Sequence, residues 1–168
     1  MTLTTLAWRA HHPRWAFSPL SGAGAALRGG RFNPIGVPAL YLSLTPTTAW
    51  LEAQQGFPFK AQPMTLVAYR VTADSLIDLR DRATVALQGL SEADVACHWE
   101  DVASRDREPP TWRFARKAIA DAFPGALYPS QAPGASPADT NLVLWTIAQN
   151  VAVIDDFGRL PKSDASWL

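Results

Sequence analysis

The chain reads as short runs of alternating apolar and polar residues, broken by clusters of glycine and proline. Residues 39–44, ALYLSL, set Leu40, Leu42 and Leu44 on one face of a strand and Tyr41 and Ser43 on the other. The leucines face the core, and Tyr41 points to the opposite side, toward a cleft. Directly after it, Thr45 is a natural N-cap, Pro46 a natural first helical residue, and Gly56 the stop. Glu52 then falls in the second turn of that helix. Residues 5–9 are expected as a first strand. β-Branched and aromatic content predicts further strands at 64–71, 75–79, 141–148 and 151–155. Ser91 with Asp94 forms a capping box opening a helix through about Trp99. Thr111 caps a second helix over Trp112–Phe123, with Trp112, Ala115, Ile119 and Ala122 at helical spacing.

Between these runs lie two long loops. Residues 18–38 are too broken for a long helix and too glycine-rich for a strand, so they form a structured loop with one helical turn at Ala23–Leu27. Loops this long inside compact domains are usually functional. Residues 124–137 form another loop around a short strand. The interspersed elements predict an α+β fold with one or two largely antiparallel sheets and flanking helices. At 168 residues the chain is the size of one domain.

Composition narrows the function. Charged residues make up only 18% against a usual share of about 25%, and fifteen bases balance fifteen acids. A general nucleic-acid binder carries a positive excess, so that class starts weak. A surface with few charges and no net charge is poorly soluble alone, which favours a partner. The charge is unevenly placed: residues 1–51 hold Arg9, Arg14, Arg28 and Arg31 and no carboxylate. An acid-free segment folded into a domain suits a small anionic ligand. One cysteine, Cys97, excludes an intrachain disulfide and a cysteine-rich zinc site. The N-terminus lacks the pattern of a signal peptide, and no run reaches the ~18 apolar residues needed to span a bilayer. A soluble cytoplasmic protein is expected.

Three segments carry candidate chemistry. In GGRFNPIG (29–36), two glycines allow the backbone to turn and approach a ligand, and Arg31 offers fixed donors to a phosphate or pyrophosphate. Tyr41 with Glu52 joins a ring that can stack on a heterocycle to a carboxylate that can hold a ribose hydroxyl. On composition alone the pair fits a core-edge tyrosine and a surface helix glutamate somewhat better. Tyr128-Pro129-Ser130 supplies a hydroxyl before a loop, a pattern common in turns. Trp8, Trp15 and Trp50 lie near the proposed cleft in sequence.

Other signals are weak. GAGAAL lacks the third glycine, the preceding strand and the distant acid of a dinucleotide fingerprint, and no Gly-Lys-Ser/Thr occurs. His11-His12 lacks a spaced third ligand, so no metal is expected. Cys97 and His98 would point about 100° apart on a helix, so they form no catalytic pair. Asp155-Asp156 reads as a turn.

The order of an Arg in GGRFNPIG, a Tyr in ALYLS, a Glu in the next helix and a Ser in LYPSQA resembles the RES domain, a family named for Arg, Glu and Ser. Arg31, Glu52 and Ser130 match those positions, and Tyr41 matches the family's usual aromatic. Asn141 and FGRL at 157–160 resemble its closing segment, so the likeness runs over roughly residues 7–160. The PLSGAGA approach is most like the ParT-like branch. Nothing is carried over from residues 80–123.

The resemblance implies a toxin of a bacterial toxin–antitoxin module with a fold similar to ADP-ribosyltransferases. It implies NAD+ as substrate and cleavage of the nicotinamide–ribose bond. By that likeness Glu52 holds a ribose hydroxyl and stabilises a cationic transition state, and Arg31 anchors the pyrophosphate. Tyr41 stacks on nicotinamide, and Ser130 bonds ribose or phosphate. Arg9 is a second phosphate contact and Asn33 a further cofactor-binding residue. The expected partner is an Xre-type antitoxin that blocks the site, with no direct nucleic-acid or membrane binding. Transfer of ADP-ribose to a protein is the leading reaction, with NAD+ glycohydrolysis or phosphorolysis as the alternative. A non-catalytic NAD+ or ADP-ribose binding module and a purely structural subunit are the readings from other classes.

Overall fold

A computed structural model describes residues 1–54 and 62–163, so the expected stop at Gly56 lies outside the described residues. Seven strands form one sheet in the order β4-β5-β6-β2-β1-β3-β7. They are β1 (Leu3–His11), β2 (Leu40–Ser43), β3 (Thr65–Ala73), β4 (Ile77–Asp78), β5 (Gly125–Pro129), β6 (Thr140–Leu144) and β7 (Val151–Ile154). Neighbours run antiparallel except β4 and β5, which are parallel. The α+β expectation holds, with a single mixed sheet.

Alternation sorts the sheet into two faces. Leu40, Leu42, Leu127, Leu142 and Leu144 pack with Val67, Tyr69 and Val71 in one buried cluster. The intervening residues Ala126, Tyr128 and Val143 face the other way and pack with Phe32, Phe114, Ala118, Val85 and Val95. β5 and β6 are covered on both sides, which is why their sequences are nearly all apolar. The two halves of the sheet meet at a seam, since the ladder between β1 and β2 is a single pair, Trp8 opposite Ser43.

Among the described residues six helices accompany the sheet: α1 (Ala23–Arg28), α2 (Pro46–Gln54), α3 (Arg82–Leu87), α4 (Glu92–Val95), α5 (Trp99–Ser104) and α6 (Pro110–Ala120), with a 3-10 turn at Pro13–Trp15. The turn expected at Ala23–Leu27 is α1. In α2, Thr45 Oγ1 accepts from the Thr48 N–H at 3.0 Å, as its N-cap reading requires. The Ser91–Asp94 capping box is present, but its helix ends at Val95 instead of continuing to Trp99. The Trp99 N–H bonds Cys97 O at 3.0 Å, and Arg31 takes the carbonyls of Val95 and Cys97. Cys97 and His98 therefore lie in a link and not on a helix.

The last helix also differs from expectation. Pro109 is its N-cap and Pro110 its first residue, so Thr111 does not cap it, and it ends at Ala120. Its buried face is Thr111, Phe114, Ala115 and Ala118. Trp112 and Ile119 flank that face, because Phe114 is drawn into the aromatic cluster around Phe32. Strand β6 stops at Leu144, short of the expected Ala148, where Trp145 and Thr146 N–H groups turn to Pro124 O. Among the described residues no helix is long and apolar enough to cross a membrane.

Candidate active site

Loop 29–36 is held from three sides. Gly29 ends α1 at φ 76°, a conformation that favours glycine. Gly30 and Asn33 bond each other across a tight bridge, Gly30 N to Asn33 O at 2.9 Å. The Tyr41 hydroxyl accepts from Phe32 N–H at 2.9 Å and donates to Asn33 Oδ1 at 2.7 Å. Trp112 Nε1 donates to Gly30 O at 2.7 Å, and Trp145 Nε1 donates to Phe32 O at 2.8 Å. A Cβ on Gly30 would lie 2.5 Å from Asn33 Oδ1 and 2.6 Å from the Tyr41 hydroxyl. The close approach that Gly30 permits is thus to Tyr41.

Asn33, expected as a cofactor-binding residue, lies inside this loop. It is fully buried, and its Nδ2 donates to Ala25 O and Val37 O, each at 2.9 Å. With Oδ1 taken by Tyr41, its amide ties the loop together. Tyr41 is likewise a strut at its hydroxyl, whose pKa burial pushes far up. Its half-buried ring packs beside the second cluster.

Arg31 precedes Phe32, which is buried against Tyr128 with ring centroids 4.6 Å apart. Its Nη1 donates to Val95 O at 2.9 Å and Cys97 O at 2.6 Å. Its other N–H groups make no hydrogen bond among the described residues. Tyr128 is buried on the same face. Burial raises its pKa, nearby Tyr41 and Glu52 raise it further, and Arg31 opposes them.

Glu52 projects from α2 onto the ends of β5 and β6. Its Oε1 accepts from Ser130 Oγ at 2.6 Å and from Asn141 Nδ2 at 2.5 Å. Asn141 Oδ1 in turn accepts from Ser43 Oγ at 2.7 Å, across a register in which Ser43 and Asn141 are direct partners. Oε2 makes no hydrogen bond among the described residues, and Glu52 is half-buried. The first turn of α2 is clasped separately: Thr48 Oγ1 donates to the Asp139 carboxylate, which also accepts from Ser136 N–H and Oγ. Among the described residues, one carboxylate oxygen is fixed and the other is unbonded.

Arg9 stands apart from both groups. Alternation turns it to the face with Ala7 and His11, opposite that of Trp8 and Ser43. Its Nη1 is buried with no hydrogen-bond partner among the described residues, and burial lowers its pKa. His11 Nε2 meets the Tyr69 hydroxyl at 2.6 Å, and Tyr69 donates to Pro19 O at 2.9 Å, so His11 Nε2 carries the proton. Burial and Arg9 lower the His11 pKa to about 3. Trp15 and Trp50 are exposed.

The structure therefore joins Glu52 to Ser130 and Tyr41 to the Arg31 loop. It leaves Arg9 outside both hydrogen-bond networks, one residue past the seam. Sequence reasoning missed Ser43 and gave Asn141 no role. Their signal was a polar residue inside an otherwise apolar strand run. Among the described residues no group of three or more His, Cys, Asp or Glu could hold a metal.

A family model described as RES domain matches residues 6–163. Among curated proteins none matches the chain. Of solved structures, a chain of the M. tuberculosis MbcT–MbcA toxin–antitoxin complex is similar at TM-score 0.63 and 19% identity, covering 92% of this chain and 84% of that one. At that identity the likeness shows a shared fold.

Proposed function

The chain belongs to the RES domain family, and from that premise we propose that it is the toxin of a bacterial toxin–antitoxin pair that cleaves NAD+ and transfers ADP-ribose to a cellular protein. The observation that supports this reading is Glu52, with Oε1 tied to Ser130 and Asn141 and Oε2 without a hydrogen bond among the described residues. Cleavage of a glycosidic bond builds positive charge on the sugar in an oxocarbenium-like transition state. A preorganised carboxylate lowers the barrier where that charge develops.

In this reading Glu52 Oε2 takes a ribose hydroxyl. The bond from ribose C1′ to nicotinamide breaks, and its electron pair leaves on the ring nitrogen, which becomes neutral. A nucleophile of the acceptor protein then attacks C1′ and gives up its proton. The uncommitted N–H groups of Arg31 serve the pyrophosphate, within an N-terminal segment that carries no acid. Ser130 is shared between Glu52 and the ribose. The antitoxin covers the site, and the exposed side chains of Leu27 and Ile35 beside loop 29–36 offer it an apolar footing. The similar structure is that of a toxin–antitoxin complex. An Xre-type antitoxin would carry any DNA contact.

Product analysis tests this. Partner-free protein is incubated with NAD+ and cell lysate, and nicotinamide, free ADP-ribose, ADP-ribose phosphate and mass added to protein are followed by mass spectrometry. The expected result is nicotinamide with ADP-ribose on protein. Free ADP-ribose or its phosphate would instead make the chain an NAD+ glycohydrolase or phosphorylase. Folded protein that binds NAD+ and releases no nicotinamide would be a binding module.

A further inference from the structure

We infer that Ser43 is a positioning residue for Glu52, acting through Asn141; this rests on the reading of Glu52 as the group that stabilises the transition state. Glu52 Oε1 accepts hydrogen bonds, so Asn141 must present its Nδ2 end to it. That choice leaves Oδ1 on a side chain only 2% exposed, where an unpaired acceptor is costly. Ser43 Oγ is the group that satisfies it, at 2.7 Å. The carboxylate decides which end of the amide faces it, and the hydroxyl holds the plane of the amide.

Ser43 suits this task by its place in the fold. It sits on a central strand, 4% exposed, and its backbone pairs with Asn141 on one side and with Trp8 on the other. It is the residue common to both sides of the seam. A hydroxyl there is held by the two halves of the sheet together, and it passes that rigidity through Asn141 to Oε1. Ser43 is too deep to touch a substrate. Its effect therefore falls on the orientation of Oε2 and not on binding.

The test compares Ser43→Ala and Ser43→Thr with the wild-type chain. For Ser43→Ala, kcat for nicotinamide release falls about 10²-fold, the scale of misplacing a catalytic group by about an ångström. KM for NAD+ stays unchanged. Ser43→Thr keeps the hydroxyl and restores most of kcat. Independently of activity, the side-chain amide protons of Asn141 are shifted downfield in the wild-type NMR spectrum by the carboxylate, and move back in Ser43→Ala. A merely structural role would lower the melting temperature and leave kcat in place, and that result overturns the inference. If the wild-type chain releases no nicotinamide, the NAD+ reading fails, and the amide signal alone decides: unmoved in Ser43→Ala, it overturns the inference too.

Discussion

Glu52 and Asn141 lie 89 positions apart in the chain and meet through one hydrogen bond, Nδ2 to Oε1. The bond joins α2 to β6, and Ser130 on the same oxygen joins both to the end of β5. Glu52→Gln keeps the shape and removes the charge. Losing a preorganised electrostatic group of this kind typically costs about 10²–10³ in rate. The expected variant folds with an unchanged circular-dichroism spectrum and loses at least ~10²-fold in nicotinamide release. Near-native turnover would remove Glu52 from the mechanism.

Arg9 gives opposite signs for stability and binding. Its Nη1 is buried without a partner, and a buried charge left uncompensated is destabilising. Arg9→Met retains the apolar stem and removes that charge, so the thermal midpoint rises. If Arg9 bonds a phosphate, KM for NAD+ rises about tenfold or more, the scale of a hydrogen bond to a charged group. A variant that gains stability and binds NAD+ normally would leave Arg9 without a ligand role.

Loop 29–36 depends on one phenol. Tyr41→Phe strips the partner from the buried Asn33 Oδ1 and from Phe32 N–H. Leaving a buried polar group unpaired costs about 1–3 kcal/mol, to be read from urea unfolding. Gly30→Ala is the more damaging change, since its Cβ would sit 2.6 Å from that hydroxyl. The double variant loses less than the sum, because one of the clashing atoms has gone. Strict additivity would mean that the two residues do not share the contact.

His11 sets a pH dependence with a definite sign. It is neutral in the fold, with its pKa lowered to about 3 by burial and then by Arg9. In the unfolded chain it takes a proton near pH 6.5. The stability it contributes is complete above about pH 6.5 and is lost as the pH falls toward 3, where the unfolded state binds the extra proton. Its facing groups, Arg9 and Tyr69, do not titrate in that window. Over roughly pH 5.5–3.5, wild-type stability falls more steeply than that of His11→Gln, by up to about 1.4 kcal/mol per pH unit. Urea midpoints at several pH values measure this, and equal slopes in the two chains would reject it.

What the sequence determined by itself was local. Burial on a strand alternates, so Leu40, Leu42 and Tyr41 declared their faces in six residues. Caps act within one turn, so Thr45 and Ser91 announced α2 and α4. The match of Arg31, Tyr41, Glu52 and Ser130 to family motifs required only their order along the chain. The tertiary structure decided what joins them. Arg31 reaches 64 positions to Val95, and Trp112 reaches 82 to Gly30, and such contacts leave no periodic trace. Arg31 takes two carbonyls that a continuous helix would have used, so the capping box opened a shorter helix than its residues suggested. Ser43 and Asn141 are short polar residues inside apolar runs, and only register makes them partners. The pairing of Trp8 with Ser43 also turns Arg9 to the face opposite the Ser43–Asn141–Glu52 network, which their spacing alone did not reveal.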